Sequence, residues 1–119
     1  MRDFDQTVAG LRAWTKDHDP HVRGAVELLI WHGYWLRRAD FRKAAVGGSA
    51  VEAWIMWDRA AAFAATGAST ASSSERAVLD LATAIGSDRY RLSRMGGAHA
   101  EAIVRAVAAA LGQEGMLSG

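Results

Sequence analysis

The stretch from Val22 to Val46 places the strongest constraint on what this chain can fold into. Apolar residues recur at helical spacing along its first half, and Gly33 then stops the run. An aromatic segment follows, and Asp40 is placed to accept hydrogen bonds from the free N–H groups of a second helix that opens at Phe41. The stretch therefore predicts a helix, a tight turn and a second helix, like the first half of a helix-turn-helix or winged-helix unit.

Length and composition extend this prediction to the whole chain. The 119 residues have the length of one domain, and folding can bury roughly two-thirds of the unfolded surface. Half of the residues are hydrophobic, alanine is the most abundant of them, and only Pro20 would interrupt helices. We therefore expect a single, compact, mainly α domain over residues 1–119 with about five helices.

Further helices are indicated by two capping pairs and by apolar stripes. Asp3 with Gln6 opens a first helix, and Ser72 with Glu75 forms a capping box for a later one. A last helix is predicted after two consecutive glycines near residue 96. Inward-facing stripes are expected on the two later helices, with Val78, Leu81, Ala82 and Ile85 on one and Ile103, Val107 and Leu111 on the other.

A minor β-ribbon is predicted from two aromatic or alternating segments. Ala53–Trp57 has the content of a short strand, and Arg89–Leu92 alternates in polarity, as a short strand or an extended turn does, so the two could pair. The alternative is one alanine-rich helix from Ala50 to Ala65. Either structure should leave Trp54 and Trp57 mostly buried.

Nothing in the sequence indicates export or membrane insertion. Asp3 and Asp5 fall where a signal peptide needs an apolar core, and no uncharged run is apolar enough to cross a bilayer. The expectation is a cytoplasmic protein with no membrane partner.

Catalytic and metal-binding motifs are also missing from the sequence. The absence of cysteine excludes disulfides, thiolate nucleophiles and cysteine-based zinc sites. The serines at 69 and 72–74 have no adjacent base and no nucleophile elbow. His18 and His21 lie with two aspartates in a loop before the second helix, which favours a solvated polar loop over a metal site. We therefore expect no enzyme, no cofactor and no metal.

The main functional hypothesis is nucleic-acid binding, and it rests on local clusters of cations. The net charge of +1 by itself gives no argument for such binding. Four phosphate contacts imply a salt slope of about −3.6, or roughly a hundredfold weakening between 50 and 200 mM salt. Stronger binding needs a second set of arginines on the same face, or a dimer. The competing interpretation is an ordinary charged helix face paired with Asp40. The candidate nucleic-acid-binding residues are Arg37, Arg38, Arg42 and Lys43, with Arg89, Arg91 and Arg94 as the second set.

Tryptophan content suggests a protein-binding alternative. Five tryptophans are more than a core of this size requires, and an exposed Trp near Arg is typical of an interface hot spot. Trp14 and Trp31 are the candidates because each lies near the edge of its helix's apolar stripe. The competing interpretation is that both simply cover the core.

Three segments carry a resemblance to other proteins. Gly33–Phe41, Ala53–Trp57 and Ala77–Ala82 resemble the core pattern of small uncharacterised proteins from high-GC actinobacteria, some carried on phage-like or integrative elements. The resemblance implies an accessory protein of a mobile element, a class rich in nucleic-acid binders and protein inhibitors, and it supplies no functional residue.

Taken together, these patterns predict a small non-enzymatic binding protein with DNA or a nucleoprotein complex as its leading partner. The alternative is an adaptor or inhibitor that captures another protein, or forms a homodimer, through exposed tryptophans.

Overall fold

The computed structural model describes residues 3–49 and 51–117. Over these ranges the chain is mainly α and compact, as predicted, with a small two-stranded antiparallel sheet. Three short 3₁₀ turns lie at Leu92–Arg94, Gly97–His99 and Glu114–Leu117. The other elements are α1 (Phe4–Thr15), α2 (Pro20–His32), α3 (Tyr34–Arg37), α4 (Ala39–Ala45), β1 (Val46–Gly48), β2 (Ala53–Ile55), α5 (Trp57–Thr66), α6 (Ser73–Gly86) and α7 (Ala100–Ala110).

The predicted helix boundaries at capping sites are confirmed. The Asp3 carboxylate accepts from the Gln6 backbone N–H at 2.8 Å, and the Gln6 side chain accepts in return from the Asp3 N–H. Ser72 and Glu75 make the same reciprocal pair at the start of α6. Gly33 ends α2 in the left-handed conformation, with φ of 78°, which costs a glycine no Cβ clash.

The second helix of the opening unit begins two residues earlier than predicted, and the aromatic segment before it forms an additional helical turn. α3 has a single turn, Arg38 is extended, and α4 begins at Ala39. The Asp40 carboxylate accepts from the Phe41 N–H at 2.8 Å, so it satisfies a first-turn donor from inside α4 rather than from the cap position. This break turns the aromatic segment inward.

Three aromatic rings form the centre of the core. Trp35 and Phe41 are fully buried, and with Phe63 of α5 they lie at centroid separations of 5.5–6.0 Å. The Trp35 indole N–H donates to the Glu75 carbonyl at 2.8 Å, which satisfies its one polar group and ties α3 to the first turn of α6. The aromatic segment after Gly33 therefore leads into a buried aromatic hinge of three rings, which joins α3, α4 and α5.

α6 packs most extensively on α2, with a face that differs in part from the one predicted. Leu79, Ala82 and Thr83 are buried, whereas Leu81 is 43% exposed. A Cβ on Gly86 would lie 2.5 Å from the Trp57 ring, so the last turn also approaches α5 closely. The predicted stripe is right for Ala82, partly right for Val78 and Ile85, which are partly buried, and wrong for Leu81, because the buried face is turned toward Leu79 and Thr83.

The β-ribbon exists, but the predicted partner strand was wrong. β2 pairs antiparallel with β1, with Val46 opposite Ile55, and not with residues 89–92. A hairpin needs only a short loop to close, so the nearby strand has the lower entropic cost. Asp88 and Arg91 both have positive φ, which breaks the extended backbone that a strand requires.

The described part of Ala50–Ala65 also rules out the single-helix alternative, because α5 begins only at Trp57. Trp54 is 38% exposed, contrary to the prediction that it would be mostly buried, and Trp57 is partly buried. The Trp54 side chain covers Gly47, where a Cβ would lie 2.4 Å from its Nε1. It therefore packs on the outer face of the hairpin.

α7 lies at the edge of the molecule, and its predicted inward stripe was wrong. Val107 and Leu111 are 51% and 69% exposed, and Ile103 is partly buried. α7 packs mainly against the 3₁₀ turns on either side of it. The radius of gyration, 14.8 Å, exceeds the value of about 13.5 Å typical of a compact chain of this length, as a projecting helix requires.

No helix within the described ranges combines the length and the apolar character that crossing a bilayer demands.

Candidate binding surfaces

Arg38 is held within the protein rather than presented to solvent. Its Nε donates to Asp40 Oδ1 at 2.9 Å and its Nη2 to Oδ2 at 2.5 Å, and its Nη1 donates to the Tyr34 hydroxyl at 3.3 Å. The guanidinium lies 5.1 Å from the Trp35 ring centroid, and the side chain is only 20% exposed. Arg38 thus packs over the aromatic core as a bidentate ion pair.

The same contacts set the electrostatics of this pair. The hydrogen bonds from Arg38, and then that from the Phe41 N–H, hold the pKa of Asp40 below its ordinary value. The carboxylate in turn raises the pKa of Arg38. The interpretation of a charged face paired with Asp40 therefore holds for this arginine.

The other three cations of the cluster differ in availability. Arg42 is partly buried and donates to the Leu36 carbonyl at 2.8 Å, where it satisfies an orphan acceptor at the end of α3. Arg37 lies 3.8 Å above the Phe4 ring centroid but stays exposed, and Lys43 is exposed. Two of the four predicted cations, Arg37 and Lys43, thus face solvent.

The loop between β1 and β2 is the part of the chain that a winged-helix arrangement would use as its wing. Among its described residues, Ser49, Val51 and Glu52, none is a cation, and Val51 is 80% exposed. Phosphate contacts require positive or hydrogen-bonding groups, so this loop adds little to a DNA surface.

The second set of arginines does not extend the first. Arg89, Arg91 and Arg94 are exposed, but they follow the last turn of α6, whereas Trp35 and its neighbours pack at the first turn of that helix. α6 has 14 residues, a length of about 21 Å. The structure therefore places the two predicted sets at opposite ends of α6.

The two candidate tryptophans have different environments. Trp31, in the last turn of α2, is 75% exposed. Trp14 is partly buried against the core and its ring lies 4.7 Å from that of His18, so it covers the core. Arg12 and Glu27 form a 3.3 Å ion pair between α1 and α2, one helical turn before Trp31.

A polar turn follows α6, and it contains a contact between Asp88 and Ser93 that the sequence did not indicate. Asp88 accepts from both the backbone N–H and the hydroxyl of Ser93, and these bonds hold its pKa below the ordinary value, with a smaller contribution from the charge of His21. The Ser93 hydroxyl donates directly to this carboxylate, so the contact closes the turn after α6. Among the described residues no group of His, Asp or Glu is placed to hold a metal ion.

A groove of about 540 Å³ lies between α5 and α6. Its lining combines three alanines and a leucine with a tyrosine, a threonine and two opposite charges. It could not be predicted, because these residues come from separate segments and form no chemical motif in the sequence. The groove is lined by Ala61, Ala65, Ala77, Asp80, Leu81, Arg89 and Tyr90, among others.

Comparison with known proteins adds no assignment, since no family model, curated protein or solved structure matches the chain. The resemblance to small actinobacterial proteins therefore stays a prediction.

Proposed function

We propose that this protein is a non-enzymatic binding module that captures another polypeptide, with Trp31 as the anchor of the contact. The supporting observation is the 75% exposure of Trp31 on a rigid helix. A tryptophan buries some 150–250 Å² when it is covered and loses little conformational entropy, which is why it is enriched at interface hot spots.

The residues beside Trp31 can form the polar rim of an interface. Arg12 and Glu27 are 53% and 30% exposed and are already paired, so a partner can bind beside them without burying a lone charge. A hot-spot tryptophan contributes about 2 kcal/mol or more, which is roughly a thirtyfold change in Kd.

The test is affinity capture with the tagged full-length chain after nuclease treatment, followed by titration of the recovered partner. The Trp31→Ala variant should bind roughly thirtyfold more weakly. Val51→Ala is the matched control, because it removes another exposed apolar side chain from a different element and should leave the Kd unchanged. Capture that depends on nucleic acid, or equal binding by Trp31→Ala, would contradict the proposal.

Nucleic-acid binding is a second candidate, favoured by the exposure of Arg37 and Lys43 beside the aromatic hinge. Two phosphate contacts give a salt slope of about −1.8, or roughly a twelvefold loss of affinity between 50 and 200 mM salt. A titration of duplex DNA across this range tests the idea. A slope close to zero, or one unchanged in Lys43→Ala, would dismiss it.

A further inference from the structure

The α5–α6 groove is lined by two charged side chains of opposite sign that do not pair with each other. Asp80 lies in α6, Arg89 lies in the turn that follows this helix, and both are exposed. Within the described ranges neither side chain takes part in an ion pair or a hydrogen bond, whereas three other arginines are paired with carboxylates. The groove therefore offers one anionic and one cationic group to a ligand.

The backbone that carries both charged groups is held in place by hydrogen bonds. The Thr83 hydroxyl donates to the Asp80 carbonyl at 3.0 Å within α6. The Arg89 N–H donates to the Ala84 carbonyl at 2.9 Å, and the two bonds from Ser93 close the turn around it. A ligand therefore meets charged groups on a backbone that is already ordered, which lowers the entropic cost of binding.

The rest of the lining suits the carbon frame of a small molecule. Ala61, Ala65 and Ala77 leave space between the two helices, and Leu81 is 43% exposed. Tyr90 is 50% exposed and adds an aromatic ring. The volume of about 540 Å³ falls within the range of roughly 300–1,000 Å³ found for small-molecule sites, and an apolar lining with a few polar groups is typical of them.

The two charges select the class of ligand. A purely apolar molecule would remove water from both charged groups without replacing their hydrogen bonds. An anion such as phosphate would be repelled by Asp80, and a simple cation would be repelled by Arg89. A molecule that carries one ammonium and one carboxylate group on an apolar body satisfies both side chains and the apolar lining together.

We propose that the α5–α6 groove binds a small zwitterion with an apolar body, the chemistry of a free apolar amino acid. The ammonium group of the ligand pairs with Asp80, its carboxylate pairs with Arg89, and its side chain packs against Leu81 and the Tyr90 ring. Both charged residues are exposed, so each ion pair contributes modestly, and we expect a dissociation constant of about 1 mM. Trp31 does not line the groove, so the inference goes beyond the proposed function.

The first test is a titration of the isotope-labelled full-length chain, followed by the NMR shifts of its backbone amides. The probes are phenylalanine and two analogues with the same ring and chain, 3-phenylpropanoate without the ammonium group and phenethylamine without the carboxylate. Phenylalanine should shift the groove residues and bind about three- to fivefold more tightly than either analogue. The absence of any shift up to about 20 mM, or equal affinity for the three probes, would overturn the proposal.

The second test assigns each charge of the ligand to one residue. In Asp80→Asn, phenylalanine and 3-phenylpropanoate should bind alike, because the ammonium group has lost its partner. In Arg89→Gln, phenylalanine and phenethylamine should bind alike for the corresponding reason. Arg91→Gln is the matched control, because this exposed arginine of the same turn does not line the groove, and it should leave all three affinities unchanged. An unchanged preference for phenylalanine in the Asp80 and Arg89 variants would overturn the proposal.

A third test locates the apolar body of the ligand. Ala65→Leu fills the groove from α5 and should weaken phenylalanine binding at least about threefold, with circular dichroism to confirm that the chain is folded. Ala62→Leu, the same change at an exposed residue of α5 outside the lining, should leave it unchanged. Equal affinities of these two variants would overturn the proposal. Trp31→Ala should bind phenylalanine as the wild type does, so the fate of this proposal is separate from that of the Trp31 surface.

Discussion

The core around Trp35 and the terminal helix α7 look alike in sequence but differ in the structure. Both carry large apolar residues at helical spacing. Around Trp35, three rings pack together and the indole N–H finds a carbonyl on another helix. On α7, Ala108 is the only buried residue, and the larger side chains face solvent. Periodicity shows which side of a helix is apolar, but it does not show what covers that side.

The strongest way to break this comparison is to truncate one large side chain in each region. Trp35→Ala removes a fully buried ring and its hydrogen bond, so the free energy of unfolding should fall by about 3–5 kcal/mol. Val107→Ala, at a side chain that is 51% exposed, should change it by less than about 0.5 kcal/mol. Urea denaturation of both variants provides the measurement. A comparable loss in both would show that α7 belongs to the core.

A second prediction concerns the glycine that directs the chain into the aromatic hinge. Gly33→Ala should cost about 1–2 kcal/mol, because φ is 78° and a Cβ is strained there. Gly24→Ala is the matched control inside the same helix, where nothing lies within 4 Å of a new Cβ. It should stabilise by about 0.5–1 kcal/mol, because glycine is unfavourable in a helix interior. Thermal unfolding measures whether each variant is less or more stable than the wild type. If Gly33→Ala left the stability unchanged, the backbone conformation of this residue would not require glycine.

The features predicted correctly are those whose cause is local. Each capping box joins residues three apart, and Gly33 ends a helix through its own backbone conformation. Such patterns are visible in sequence because both partners lie within one helical turn.

The features missed depend on tertiary placement. The β1 partner of Ala53–Ile55 is a valine and two glycines, which carry little strand signal. The groove is lined by residues of α5, of α6 and of the turn after α6, and the separation of the two arginine sets follows from the length of α6. The pairing of Arg38 with Asp40 was recognised as an alternative, but sequence alone could not weigh it against an exposed cluster.

A third prediction compares two helix starts within the well-packed region. Ser72→Ala removes the side-chain acceptor for the Glu75 N–H, so it should cost about 1 kcal/mol. Asp19→Ala, at the start of α2, removes no such bond, because its side chain makes no cap contact. Its effect should be less than half as large. Chemical denaturation of both variants measures the free energy of unfolding. An equal decrease in the two variants would show that the capping box contributes nothing beyond the general preference for polar residues at helix starts.

The smallest effect is expected at the ion pair of Arg38 and Asp40, which covers the aromatic rings. Arg38 depresses the pKa of Asp40, so the folded state favours the charged carboxylate. This contribution is present above the unfolded pKa of about 3.9 and is lost as pH falls through the lower folded pKa. Since the Asp40 side chain is 52% exposed, its contribution should stay below about 1 kcal/mol. Unfolding between pH 2 and 7 in a double-mutant cycle of Asp40→Asn with Arg38→Gln isolates the coupling. A coupling that persists unchanged at the lowest pH would show that Arg38 and Asp40 interact through hydrogen bonding that does not depend on the charge of the carboxylate.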